Sequence, residues 1–241
     1  MGKRFKSGIC AYCGAPGRTA DHVFARSFFP ETLRDDLPQV AACAPCNSEK
    51  SKIEHYLATI LPFAGNHPLS APMLEQQVPR RLAKNKKLHR ELAEGQVGVR
   101  WTESGTEQSS FGIPYDHDRL LDYLRYVAKG LARAHWDITV SQHYAVSTGL
   151  VTAGQDAILR NLFLGRSAGY ARGNLGDGLI LYEGQQAIDD PSLTMWRFLL
   201  YGGLIFSDND AVLDIPRDLW AITAKKPMPG LPHRRAADDQ S

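Results

Sequence analysis

Residues 43–61 read CAPCNSEKSKIEHYLATIL. Two cysteines stand three positions apart, and Asn47 follows at once. Behind it Ile53, Tyr56, Leu57, Ile60 and Leu61 recur at spacings of three and four, the stripe of an amphipathic helix. Asn47 opens that helix in this reading, and Pro62 with Gly65 ends it. A pair of thiols therefore sits at the front of a helix. Cys10 and Cys13 repeat the same C-x-x-C spacing upstream, and all four cysteines of the chain lie within its first 46 residues. Four soft thiolates in two pairs suit a tetrahedral structural zinc. The alternatives are free thiols or a redox pair. A redox pair sits at a helix start after a strand and does not come doubled. The gap between the pairs, residues 14–42, exceeds the roughly 15–20 residues of simple zinc ribbons, so the insert needs a purpose of its own.

The insert begins with turn residues Gly14, Pro16 and Gly17 and continues TADHVFARSFF from Thr19. His22–Ala25 reads as a short strand, Arg34–Pro38 as a polar loop and Val40–Cys43 as the returning strand. Two strands and a helix pinned by zinc are the expected unit. Its polar residues fit phosphodiester hydrolysis. That reaction needs a base for water and a divalent cation for charge building on the phosphate. Histidine titrates near neutrality and suits the base, while an Asp carboxylate and an Asn carbonyl suit Mg²⁺. Asp21 and His22 are neighbours on a strand and point to opposite faces. A bulge or bend is needed to aim both at one phosphate. Asn47 sits where helix N–H groups favour an anion, and Lys50, one turn on, is a candidate phosphate contact.

Taken together, Cys10-x-x-Cys13, Asp21-His22-Val23 and Cys43-x-x-Cys46-Asn47-x-x-Lys50-Ser51 resemble the HNH endonuclease family over residues 8–54. The resemblance implies a ββα-metal fold with His22 as general base and Asp21 and Asn47 as ligands of a catalytic Mg²⁺ or Mn²⁺. It also implies zinc on Cys10, Cys13, Cys43 and Cys46. One position departs from the family pattern. Pro38 stands where the middle Asn braces the loop of the base histidine, and Gln39 beside it is a candidate substitute brace.

Beyond this unit, residues 62–72 are rich in Pro and Gly and read as a linker. A basic helix is expected over Met73–Glu94, with Pro79 starting or interrupting it. Arg80, Arg81, Lys84 and Lys87 can share one face there as a phosphate-tracking surface; a solvated charged face is the alternative. Val97–Trp101 reads as a strand, followed by a turn through Gly105 and Ser110. Leu120, Leu124, Val127 and Leu131 predict a long helix over Asp118–Trp136 capped by Asp116. A further helix is expected over Asp156–Leu164. Strands are expected at Leu179–Tyr182, Met195–Tyr201 and Leu204–Ser207, the last two joined as a hairpin through Gly202-Gly203. The fold class is α+β: an N-terminal zinc-stapled unit over residues 1–62, an α+β domain over 73–226 for target recognition, and a disordered tail over 227–241.

A formal charge of +2 gives no strong overall field for nucleic acid, so binding must come from local patches. No apolar run approaches the roughly 18 residues of a membrane span, and the start MGKRFKSGIC lacks an apolar stretch. A cytoplasmic protein without membrane contact is the expectation. The functional expectation is a metal-dependent endonuclease acting on DNA, with restriction or host defence as its setting and a homodimer as an open state. Two alternatives remain. One is RNA as substrate; the other, favoured by Pro38, is a zinc-stapled nucleic-acid-binding protein without catalysis.

Overall fold

The structure is a computed structural model that describes residues 8–103, 106–141, 143–151, 161, 166–208, 211–228 and 231. The first unit starts with a miniature hairpin. Strands β1 (Gly8–Ile9) and β2 (Pro16–Gly17) pair antiparallel. The knuckle between them closes through Cys10 N to Ala15 O at 2.7 Å and Gly14 N to Cys10 O at 3.0 Å. Gly14 takes φ +81°, which only glycine adopts without strain. Strands β3 (Thr19–His22) and β4 (Gln39–Ala42) follow as a second antiparallel pair, in unbroken register from Thr19↔Ala42 to His22↔Gln39. The expected strand at His22–Ala25 thus lies earlier in the chain and ends at His22. Phe24, Phe28 and Phe29 beyond it turn into the core instead.

Helix α1 spans Ala44–Ala64. Cys43 occupies its N-cap position, so Asn47 lies a full turn inside the helix and does not open it. Pro62 also lies inside α1, contrary to the expected stop, and the helix ends at Gly65. Proline has no N–H to offer the carbonyl four residues back. Here that carbonyl, Ala58 O, accepts a hydrogen bond from the Arg81 guanidinium instead. The supposed linker is therefore mostly helical. The supposed single basic helix is three short ones: α2 (Ser70–Gln76), α3 (Val78–Lys84) and α4 (Lys86–Glu94). Pro79 sits in the first turn of α3, where a missing N–H costs nothing. Asn85 separates α3 from α4 and caps α4 by accepting from Leu88 N at 3.1 Å.

Strands β5 (Val97–Glu103) and β6 (Thr106–Gly112) form a hairpin, so the expected turn through Ser110 is much shorter. Helix α5 (His117–Trp136) carries the expected Asp116 cap, which accepts from Arg119 N at 3.0 Å. The helix expected over Asp156–Leu164 falls outside the described residues, apart from Asn161. The remaining strands are β7 (Ala145–Leu150), β8 (Ser167–Leu175), β9 (Ile180–Ala187), β10 (Thr194–Leu200), β11 (Leu204–Asp208), β12 (Ala211–Arg217) and β13 (Leu219–Ala224). Five of them form an antiparallel sheet in the order β7-β13-β10-β9-β8, while β11 forms a two-stranded ladder with β12 and an isolated bridge from Leu204 to Gly65. The hairpin expected through Gly202-Gly203 does not form. Tyr201, Gly202 and Gly203 adopt φ of +53°, +72° and +96° in succession, which swings the chain out of the sheet.

One continuous set of buried apolar residues runs from Cys10 through Leu57, Val127 and Phe198 to Ala221. Helix α5 lies at its centre. A side chain in place of Gly130 would meet both methyl groups of Val23 at 3.0 Å, so glycine lets α5 press onto the loop after β3. A smaller cluster of Ala187, Met195, Trp220 and Ile222 covers the other face of the sheet, with Met228 and Leu231 packed against it. Residues 229–230 and 232–241 of the expected tail lie outside the described residues.

Candidate functional site

The four cysteines converge. Cys10 and Cys13 come from the β1–β2 knuckle, Cys43 from the N-cap of α1 and Cys46 from its first turn. Their sulfurs all lie within 4.8 Å of one another, and Cys13 and Cys43 are 3.6 Å apart. A tetrahedron with metal–sulfur bonds of about 2.3 Å spaces its sulfurs roughly 3.8 Å apart, so the cradle fits a metal ion such as zinc. All four are free thiols. Burial pushes the Cys46 thiol up, and its contacts with Cys43 and Cys10 add to that effect. Burial works the same way on Cys10, but the backbone of Cys43, Tyr12 and Cys13 outweighs it and lowers that thiol. Crowded thiols resist ionising one another, and a divalent cation at the centre reverses that cost.

Asp21 and His22 diverge, as adjacent strand residues do. Asp21 is 7% exposed and faces α1. Its Oδ2 accepts from the Tyr12 hydroxyl at 2.5 Å and forms an ion pair with Lys50 Nζ at 3.0 Å. Lys50 is fully buried, contrary to its expected place on a phosphate. Its ammonium also donates to His22 O at 2.7 Å and pairs closely with Glu54. The Tyr12 and Tyr123 rings lie 5.9 and 5.8 Å from it. Two carboxylates, a carbonyl and two ring faces account for the whole charge, and none is left for a nucleic acid.

His22 is half-buried, and its Nε2 lies 2.8 Å from Gln39 Nε2 across the strand pair. Gln39 is thus the partner of the histidine ring, as the substitute-brace reading expects. With the amide donating, the ring proton belongs on Nδ1. Burial, then the Arg26 charge, lowers the pKa of His22, while Asp21 opposes. The ring is therefore neutral at pH 7, as a general base must be, while its Nε2 lone pair is taken up by the Gln39 amide.

Asn47 lies on the Asp21 side of β3. Its Nδ2 donates to Thr19 Oγ1 at 3.2 Å, and Thr19 Oγ1 donates to Ala42 O at 2.9 Å. Thr19 and Asp21 share a strand face by the two-residue period. Asn47 thereby keeps its amide oxygen, and Asp21 keeps Oδ1, outside the bonds just described. These two oxygens are the site's candidate ligands for a hard divalent cation.

The basic residues divide. Arg80, Lys84 and Lys87 are exposed, and Lys87 has Glu91 at 3.8 Å. Arg81 is not part of a phosphate-facing surface. It is half-buried and donates to Ala58 O, to Ser27 O at 2.5 Å and to Gln77 Oε1 at 2.8 Å. Lys86, His89 and Arg90 line a groove of about 330 Å³ beside Leu82, Ala83 and Ala93. A larger concavity of about 680 Å³ lies on the outer face of the five-stranded sheet, lined by Tyr170, Arg172, Glu183, Arg197 and Asp218 among others. It includes no residue of the cysteine-bearing unit.

Tyr12 and Glu54 went unread in the sequence. Glu54 carried a signal, four residues after Lys50 on one helix face. Tyr12 carried none, because its bond to Asp21 depends on how the knuckle folds back. Among the described residues, no helix is long and apolar enough to cross a membrane. Comparison of the chain with family models, curated proteins and solved structures finds no match.

Proposed function

We propose that this protein is a metal-dependent endonuclease of the HNH type that hydrolyses phosphodiester bonds in DNA. The observation that carries the reading is the junction of β3 with α1. A neutral histidine braced by Gln39 ends the strand, while Asp21 and Asn47 hold oxygens on the helix side. The four cysteines would hold a structural zinc that fixes the two ends of this unit. Gln39 sets the plane of the imidazole by occupying Nε2, and once it is displaced His22 takes a proton there from the attacking water. Tyr12 and Lys50 hold the Asp21 carboxylate in place, and Asp21 with Asn47 would hold Mg²⁺ or Mn²⁺. That cation supplies charge stabilisation at the phosphate and the leaving oxygen. Arg80, Lys84 and Lys87 are exposed cations that would follow a phosphate backbone, Lys87 from beside Glu91. His22 and Asp21 point to opposite faces of β3. A turn at His22, the last residue of the strand, that breaks the contact with Gln39 would bring the ring round to the substrate and free Nε2.

One observation favours a second reading, a zinc-stapled nucleic-acid-binding protein without catalysis. The Lys50 ammonium already stands 3.0 Å from Asp21 and competes with a divalent ion for that carboxylate. Cleavage of supercoiled plasmid with Mg²⁺ or Mn²⁺ separates the two. The wild-type chain should nick or linearise the plasmid, and His22→Ala should be slower on the order of a hundredfold or more. Equal cutting by both would sink His22 as the base. Binding without cutting of duplex DNA, single-stranded DNA or matched RNA would support the second reading, and cutting of RNA alone would move the substrate.

A further inference from the structure

Helix α5 comes from the part of the chain beyond the cysteine-bearing unit, yet it reaches the metal cradle. Lys129 Nζ donates to Tyr12 O at 3.1 Å, and Tyr12 lies between Cys10 and Cys13 in the knuckle. One turn earlier on the same helix, the Tyr126 ring meets the Tyr12 ring edge-on at 5.1 Å. The Tyr126 hydroxyl donates to Glu49 of α1 at 3.0 Å. Knuckle and helix, the two elements that supply the sulfurs, are both tied to α5. Burial pushes the Lys129 ammonium down, while negative charge on Cys46, Cys13 and Cys10 as thiolates pulls it back up. Arg125 is the like charge that acts against it.

The charges explain why an ammonium belongs there. Four thiolates around a divalent ion carry a net charge of −2. Cys10 is buried and Cys13, Cys43 and Cys46 are half-buried, so that charge is only partly hydrated. A nearby cation offsets the hydration it lacks. We propose that Lys129 is the counter-charge of the metal–thiolate centre, a positioning residue outside the ligand set, so that metal affinity is a property of α5 as much as of the knuckles. This rests on the cysteine cluster being a metal site and is independent of catalysis. An ammonium at that point lowers the cost of ionising the thiols and holds the knuckle backbone through Tyr12.

Two substitutions separate charge from contact. Lys129→Gln removes the charge and keeps a donor for Tyr12 O. Lys129→Arg keeps the charge. Zinc affinity of the full chain is read by competition with a chromophoric chelator, at low and at high salt. Changes at outer-shell partners of metal ligands typically cost about 10–100-fold in affinity. Lys129→Gln should therefore hold zinc at least about tenfold more weakly than wild type, with the gap narrowing at high salt, and Lys129→Arg should stay close to wild type. The sulfur-to-cobalt charge-transfer band of the Co²⁺-loaded chain should shift in Lys129→Gln, a change that loss of packing alone does not predict. Equal zinc affinity in wild type and Lys129→Gln would overturn the proposal, as would equal weakening in Gln and Arg. A wild-type chain that takes up no zinc would overturn the metal reading itself, and the proposal with it.

Discussion

Glu54 shares the Lys50 ammonium with Asp21, two carboxylates against one cation in a buried position. Burial raises the Glu54 pKa from the ordinary 4.5 to about 7, with Lys50 opposing and Asp21 adding to the rise. The folded chain then binds the Glu54 proton more tightly than the unfolded chain does between those two values. Stability is lost in that window as pH rises. The loss from this group is on the order of 3 kcal/mol across it. Urea unfolding of Glu54→Gln at pH 4.5 and pH 7 should show a flatter profile than wild type by roughly that amount. Parallel profiles would show that Glu54 is not held in this environment. Residue identities at this site were legible in the sequence; their environments were not. Asp21, His22 and Asn47 stand out by spacing, and Gln39 by its place beside Pro38. Lys50 reads as a phosphate contact, because its burial is decided by Tyr12 and Tyr123, which lie 38 and 73 positions away in the chain.

Among the elements, α1 shows how one residue type can be misread until its partner is known. Pro62 looks like a stop, and Arg81 looks like a phosphate ligand. Each explains the other, since the carbonyl that Pro62 leaves open is the one that Arg81 fills. Arg81→Ala would leave Ala58 O and Ser27 O without this donor, at a cost of about 1–3 kcal/mol for each buried group left unpaired. Thermal unfolding should show a clear loss of stability in Arg81→Ala and almost none in Arg80→Ala, whose side chain is exposed. Equal behaviour of the two would mean that Arg81 does not brace the helix. The long helices were readable because their signals are local: the apolar stripe of α1, and the stripe and Asp116 cap of α5. The partition of strands was not. Two glycines between two strand-like runs predict a hairpin, but Tyr201 joins them in a left-handed turn that sends β11 to a different partner.

For the molecule as a whole, the core has no seam between the cysteine-bearing unit and the sheet. A metal that holds the knuckles should therefore stabilise everything packed against them, as binding to the folded state alone must. Removing it with a strong chelator should lower the melting temperature of the entire chain in one transition, followed by far-ultraviolet and near-ultraviolet circular dichroism together. Two separated transitions would mean that the units melt independently. The sequence pattern suggested two parts, because the motif residues end near Leu61 and the chemistry ends with them. The packing between parts was invisible there, since Gly130 against Val23 is a contact with no local signature.

That close approach of Gly130 to Val23 bears on how this unit can be inherited. A small metal-stapled unit that folds alone can be copied into many proteins and keep its shape. Residues 8–64 here bury Val23, Phe24, Phe28 and Phe29 in the same core as Tyr123, Val127 and Leu131 of α5. Transplanted by themselves they would present a greasy face to water, and the knuckle would lose the carbonyl bond from Lys129. The two parts travel together or not at all. Any change in the sheet must be compatible with the floor on which the Asp21–His22 strand rests.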